Sequence, residues 1–317
     1  SNFKYKGGFM EIFLLILIGV LLIGIVTYLI SAKMYKQLIF SPKQEGGFLF
    51  YREAIEQRFH LKDFNRWKKE IFYIESDFGY YICATHIHAK QPSKRLIILC
   101  HGFSCQQLTS YKYVQLFLDR GFHVITYDQR FHGFSGGDFI TYGYYEKEDL
   151  KKLIQWGHQT FGSDCQIGVH GESMGAVTAL LYAANSENVA DFYIADCPFS
   201  NFSSIIRERY KHNYPYMPYF PFLKISKWMW EKRLAFTWEM LSPVFFMKKI
   251  KKPVLLLHTK HDHFTVPAHS QRLHEAAPNE TTLVIFPEGG HAQGIVKNRE
   301  KYEEAVDKFL EKILKSK

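Results

Sequence analysis

The sequence predicts an α/β fold built on a mostly parallel sheet, with a helical insertion and a membrane-spanning helix ahead of it. Three observations predict this. From about residue 70, short continuous apolar runs alternate with longer amphipathic ones; more than fifty residues rich in aromatic and basic side chains interrupt the alternation; and residues 12–30, "IFLLILIGVLLIGIVTYLI", carry no charge. Continuous apolar strands separated by helices indicate parallel strands buried on both faces. The chain has 317 residues, 47% of them hydrophobic and 17% aromatic, which is ample for such a core.

The nineteen uncharged residues would span roughly 28 Å as a helix, close to the hydrocarbon thickness of a bilayer. A signal peptide has a shorter apolar region followed by small residues at a cleavage site, whereas this run leads into "SAKMYKQLIF". The reading is an uncleaved single-pass anchor over 10–31. Lys4 and Lys6 precede it and Lys33, Lys36 and Lys43 follow it, a balance that favours neither orientation. Residues 32–69 read as a connecting segment.

"EIFYIES" and "YYICATHIHA" predict a strand pair with Asp77, Phe78 and Gly79 at the turn. Strands follow at 95–100, 123–128, 165–170 and 191–196, with helices near 108–120, 145–161 and 174–185 between them. After the interruption, strands at 253–259 and 281–287 and a helix over 296–315 complete one large α/β domain covering 70–317. The interruption is too long for an ordinary connection and predicts a helical cap over 199–248.

Charge and cysteines narrow the function classes. Of the net charge of +9, a local excess of eight lies within 207–252, where eleven Lys or Arg face three Glu. No nucleic-acid module accompanies these cations, so no nucleic-acid partner is expected. The cysteines at 83, 100, 105, 165 and 197 have neither a disulfide-like spacing nor a Cys-x-x-Cys pair, and read as free thiols.

"GVHGESMGAV" carries the chemistry. Gly171-Glu172-Ser173-Met174-Gly175 lies between an apolar run and a helix-like one, the setting of a nucleophile elbow. A serine needs a histidine to accept its proton, and the histidine needs a carboxylate to orient it. In chain order Ser, acid, His, the candidates are Asp262 in "HTKHDHFTVP" and His291 in "PEGGHAQG", each in a loop after a strand. His261 and His263 flank the acid, but neither lies in a separate later loop. The backbone N–H groups of Met174 and of Phe103, in "HGF", are the expected oxyanion donors.

With "LCHGF", "YDQRFHGFSGG", "GVHGESMGA", "DCPFSN", "KHDHFTVP" and "GGHAQG" in this order, residues 70–315 resemble the α/β-hydrolase superfamily, and more narrowly its bacterial serine hydrolases with a helical cap, often membrane-tethered. The resemblance implies Ser173 as nucleophile, Asp262 as orienting acid, His291 as base, and Phe103 and Met174 as oxyanion donors. It implies no metal and no organic cofactor. His132 is expected to shape a loop near the site. "HGFS" departs from the lipase-type "HGGG" and sets the chain apart from that branch. Glu172 has two open roles, a buried polar contact or an influence on the pH profile.

The expected activity is cleavage of carboxylic esters with a hydrophobic acyl or aryl group, through a covalent acyl-enzyme. A peptidase or amidase and an acyltransferase would use the same triad, and a non-catalytic binding or scaffold protein is the alternative of another class. For the cap, two readings stand: its aromatics pack it onto the core while its charges face water, or some rings line an acyl pocket and the basic face rests on an anionic membrane.

Overall fold

A computed structural model describes residues 2–40, 45–56 and 58–315; Lys43 and the side chains of Lys4 and Lys6 lie outside the described residues. The strands are β1 (Lys69–Glu75), β2 (Tyr81–Ile87), β3 (Arg95–Cys100), β4 (His123–Tyr127), β5 (Gln166–Glu172), β6 (Phe192–Asp196), β7 (Val254–Thr259) and β8 (Thr281–Phe286). The helices are α1 (Asn2–Ile39), α2 (Gly46–Ile55), α3 (Leu61–Arg66), α4 (Tyr111–Leu118), α5 (Glu146–Phe161) and α6 (Met174–Ala183). After them come α7 (Phe202–Asn213), α8 (Phe222–Leu234), α9 (Ala268–Ala276), α10 (Gly294–Lys297) and α11 (Arg299–Lys315).

All eight strands join one sheet in the order β1-β2-β4-β3-β5-β6-β7-β8. β1 and β2 form the expected antiparallel pair, β2 runs antiparallel to β4, and every pairing from β4 to β8 is parallel. The alternation of side chains along a strand explains why the central runs are apolar throughout. Leu96, Ile98 and Cys100 of β3 join the core beneath α5 and α6, whereas Ile97 and Leu99 join the opposite core beneath α4 and α11. Each such side chain, once buried, contributes about 1.5–3 kcal/mol.

Two elements differ in detail from the sequence reading. The helix expected near 108–120 begins as a 3₁₀ turn at Gln107–Ser110 and becomes α-helical only from Tyr111. The final helix is divided into α10 and α11. Helix α9, "AHSQRLHEA", was not anticipated, because it is short and mostly polar.

The chain packs as two compact units, Ser41–Ile206 with Glu239–Lys317, and Ser1–Phe40 with Arg207–Trp238. The first helix does not stop at residue 31 but continues to Ile39. Of the insertion expected over 199–248, only 207–238 separates; Phe199, Phe202, Leu241 and Met247 are buried within the sheet-bearing unit. Aromatic and basic composition does not change at that packing boundary, so the sequence does not mark it. Lys248, Lys249, Lys251 and Lys252 accordingly belong with the sheet, just ahead of β7.

In the smaller unit, α8 lies against α1. The buried Ser226 hydroxyl donates to the Ser31 carbonyl at 2.8 Å, the Tyr214 hydroxyl to Gln37 Oε1 at 3.2 Å, and Met34, Tyr35 and Ile39 are buried. Residues 9–30 of α1 stay exposed apart from partial cover at Gly19, Thr27 and Ile30, and the helix is long and apolar enough to cross a membrane.

The stretch from 45 to 67 is part of the sheet-bearing unit. Phe59, Phe64 and Trp67 surround Tyr111 at the start of α4, with ring centroids 5.5–5.7 Å apart. Phe59→Ala should therefore cost about 3–5 kcal/mol, read as a lower midpoint of urea unfolding. An unchanged midpoint would show that this segment contributes nothing to the domain.

Candidate active site

β5 turns into α6 at Ser173, whose φ of 55° and ψ of −114° put it outside the ordinary regions for a residue with a side chain. Two glycines make the turn possible. A Cβ on Gly171 would stand 2.2 Å from the Gly175 carbonyl oxygen, and one on Gly175 would stand 2.1 Å from that of Cys100. The turn thus presses strand, helix and the end of β3 into backbone contact and leaves the serine at its tip.

Asp262 follows β7 and His291 follows β8, so parallel pairing brings both loops to the end of the sheet where β5 ends. His291 Nδ1 donates to Asp262 Oδ2 at 2.7 Å, which leaves Nε2 to accept the Ser173 hydroxyl at 2.9 Å. Asp262 is buried, and burial alone would raise its pKa. Hydrogen bonds from His258 and His291, the His291 charge and the Thr265 N–H outweigh that penalty and hold the carboxyl well below its usual range. Its Oδ1 also accepts the N–H groups of Phe264 and Thr265 at 2.8 and 2.9 Å.

The His101–Ser104 loop runs beside Ser173, with Gly102 so placed that a Cβ on it would meet the Ser173 Cβ at 3.5 Å. Met174 is the first residue of α6, where a helix leaves N–H groups without intrahelical partners. Two buried histidines fix the loop. His101 donates from Nδ1 to the Gly102 carbonyl at 2.8 Å and accepts the Gln129 N–H at 2.9 Å, while His132 accepts the Ser104 N–H at 3.2 Å. Burial pushes the pKa of each down to about 4, so both are neutral hydrogen-bonding groups at pH 7. That is the loop-shaping role expected of His132. Aromatic faces border the site, the Phe103 ring stacking on Tyr142 at 5.4 Å and Phe264 tilting over His291 at 4.7 Å.

Sequence reasoning missed two contributors. His258, inside β7, stands 3.3 Å from Asp262 Oδ2 and donates to the Thr265 carbonyl at 2.6 Å, bracing the acid from behind. Lys112, on α4, is buried and pairs with Glu172 at 2.5 Å, while its ammonium also donates to the Ala292 carbonyl, next to His291, at 3.0 Å. Tyr113 donates to Glu172 at 2.5 Å and reaches Asp196 at 3.1 Å; Tyr302 donates to Asp196 at 3.0 Å and contacts His170 at 2.8 Å. Glu172 therefore makes a buried polar contact. No sequence signal marks Lys112, since a lysine on an amphipathic helix reads as solvated.

Residues 109–317 match the model of the Prolyl oligopeptidase family. The chain belongs to that family. The match includes Ser173, Asp262 and His291 but begins after Phe103. Over 299 residues the chain is 37% identical to the uncharacterized protein YqkD of Bacillus subtilis (strain 168), covering 94% of this chain and 97% of that one. The esterase Pf2001 of Pyrococcus furiosus superposes with a TM-score of 0.66 at 21% identity, covering 86% of this chain and 98% of that one. Pyrococcus horikoshii acylaminoacyl peptidase gives 0.57 at 16% identity, covering 79% of this chain and 42% of that one. The chain has the α/β-hydrolase fold.

In this prolyl oligopeptidase family member the Lys112–Glu172 pair has an energetic consequence. Burial would raise the pKa of Glu172, but the charge and hydrogen bond of Lys112 hold it below its ordinary value of 4.5, and Glu172 in turn holds Lys112 protonated against burial. Removing one partner leaves a buried charge unpaired, at a cost of about 3–5 kcal/mol. Lys112→Met should lose this much at pH 7 in urea unfolding. A depressed carboxyl pKa adds stability above the unfolded value and loses it as the pH falls, so the deficit should shrink below about pH 4.5. Lys112→Met/Glu172→Gln should recover part of it at pH 7; a double variant no better than the single one would contradict the pairing.

Proposed function

We propose that this chain is a membrane-anchored serine hydrolase that cleaves carboxylic esters through a covalent acyl-enzyme. The observation carrying this reading is the continuous hydrogen-bonded series Ser173–His291–Asp262 at a strained strand-to-helix turn. Ser173 Oγ attacks the ester carbonyl carbon as His291 Nε2 takes its proton, and Asp262 stabilises the resulting imidazolium. The N–H groups of Met174 and Phe103 stabilise the oxyanion. His291 then gives the proton to the departing alkoxide oxygen as the C–O bond breaks. Water loses a proton to His291 and attacks the acyl carbon; the Ser173 oxygen leaves, regains that proton, and the acid is released.

Ester cleavage with a hydrophobic acyl or aryl group is favoured by the Phe103–Tyr142 stack and the Phe264 ring beside the nucleophile, which provide apolar faces. Amide or peptide cleavage is the second reading, favoured by the family match. It uses the same steps, with His291 protonating a leaving amine.

Ser173→Ala should lose fluorophosphonate labelling and lower kcat on p-nitrophenyl esters by on the order of 10⁴–10⁶, with Asp262→Asn falling by roughly 10⁴. A matched series of esters and anilides, with alcohol and amine acceptors added, separates ester cleavage from amide cleavage and acyl transfer. A folded wild type that neither labels nor turns over any of them would leave a binding protein as the better reading.

For the anchor, the proposal is that α1 crosses the bilayer and that α8 lies at its interface. Ser226 meets Ser31, one residue past the apolar run, and nearby Phe220 and Trp228 are 69% and 56% exposed. Exposed rings with adjacent lysines, here Lys224 and Lys227, suit the headgroup boundary. In liposomes with brominated lipids, tryptophan quenching should fall clearly in Trp228→Phe. Equal quenching in wild type and variant would place this helix away from the membrane.

A further inference from the structure

Pairing of three strands gathers histidines away from the catalytic centre. Glu70 of β1 pairs with His86 of β2, and Ile87 pairs with Val124 of β4, so the next residue along, His88, comes opposite His123. His86 and His88, two residues apart, share a face. One ring nitrogen from each of His86, His88 and His123 lies within 4.8 Å of the other two. Trp156 and Phe161 wall the cluster, with Phe161 centred 4.4 Å from the His123 ring, while His88 and Glu70 remain accessible.

The hydrogen bonds around His86 do not close with a neutral ring. His86 Nδ1 lies 3.1 Å from Glu70 Oε1, an obligate acceptor, and Nε2 lies 3.0 Å from His123 Nδ1. That His123 nitrogen already accepts the Ala89 N–H at 3.2 Å, and the Ser93 backbone holds the ring as well. A neutral imidazole has one N–H, so a proton given to Glu70 leaves two lone pairs facing each other across 3.0 Å. A cation between the two nitrogens would remove that conflict, taking the His123 lone pair from the Ala89 N–H.

We propose that His86, His88 and His123 bind one borderline divalent transition-metal ion, with Zn²⁺ as its probe, and that Glu70 orients the His86 and His88 rings from outside. Ligand nitrogens at about 2.0–2.1 Å from zinc in a tetrahedron lie roughly 3.3 Å apart, close to the His86–His123 spacing. The half-buried His88 can turn to complete the set. Glu70, 3.1 Å from both His86 Nδ1 and His88 Nε2, supplies the carboxylate that metal-bound histidines commonly hold through their other nitrogen. Imidazole donors select zinc, copper or nickel over magnesium or calcium. The sequence carries no complete metal signature here because the third ligand, His123, comes from a separate strand. β4 begins at His123 and the triad lies at the far ends of the parallel strands, so the ion would fasten the sheet's edge and take no part in hydrolysis.

The test uses the full chain in detergent, stripped with EDTA, titrated with Zn²⁺ against a chromophoric chelator and followed by thermal unfolding. One equivalent should bind and raise the Tm, and Mg²⁺ should not. His86→Gln/His123→Gln should lose that equivalent and the shift, and His88→Gln, at a half-buried position just past the end of β2 where folding is preserved, should weaken uptake at least about tenfold. Uptake unchanged in both variants overturns the proposal and places the ion elsewhere, such as at Cys197, Asp262 and His291, whose donor atoms also converge. Absence of any tight equivalent in the wild type overturns it equally.

Discussion

Backbone contact at the turn around Ser173 constrains the rest of the site. β5 must become α6 within one residue while Gly175 touches the end of β3, so three elements lose their independence at one point. A serine held at φ 55° carries strain of order 1–3 kcal/mol. The Ser173 N–H donating to the Asp196 carbonyl at 2.8 Å offsets part of it, and every residue of α6 is buried, which fixes the helix against the sheet. The hydroxyl thereby projects from a rigid base, and the two later loops need only bring His291 and Asp262 to it.

Behind that turn, charge replaces apolar packing. Glu172 and Asp196 sit side by side at the ends of β5 and β6, and burial followed by the Glu172 charge raises the pKa of Asp196 to about 6. Lys112, Tyr113 and Tyr302 reconcile the two carboxyls and in doing so tie α4 and α11 to the strand ends. Through the Ala292 carbonyl the same lysine reaches the loop that carries His291. The network thus couples the position of the His291 loop to that of the Ser173 turn through one buried cation. It has little tolerance for loss of a member, because each remaining charge would be left in an apolar surrounding.

The sheet separates its tasks by strand end. The carboxyl ends of β5, β7 and β8 present Ser173, Asp262 and His291, as expected where parallel strands release their loops on one side. The amino end of β4 and the antiparallel β1–β2 pair instead hold histidines and Glu70. In the smaller unit, α1 gains buried contacts only past its apolar run, where small side chains at Ser31 and Ser226 let two helices approach.

What the sequence determined by itself was whatever local pattern carries. Continuous apolar runs gave the strands because both faces of a parallel sheet are buried; the order of Ser173, Asp262 and His291 gave the candidate triad because each lies in a loop directly after a strand; and an uncharged run gave the apolar helix. Tertiary structure decided what depends on partners distant in the chain. Lys112 reads as a solvated residue until a buried Glu172 meets it, and His258 reads as one more residue of β7 until Asp262 turns back on it. The extent of the insertion and its union with α1 depend on which surfaces pack, and composition does not record that. His123 becomes a neighbour of His86 and His88 only through strand register, since a cross-strand contact leaves no spacing in the sequence to read.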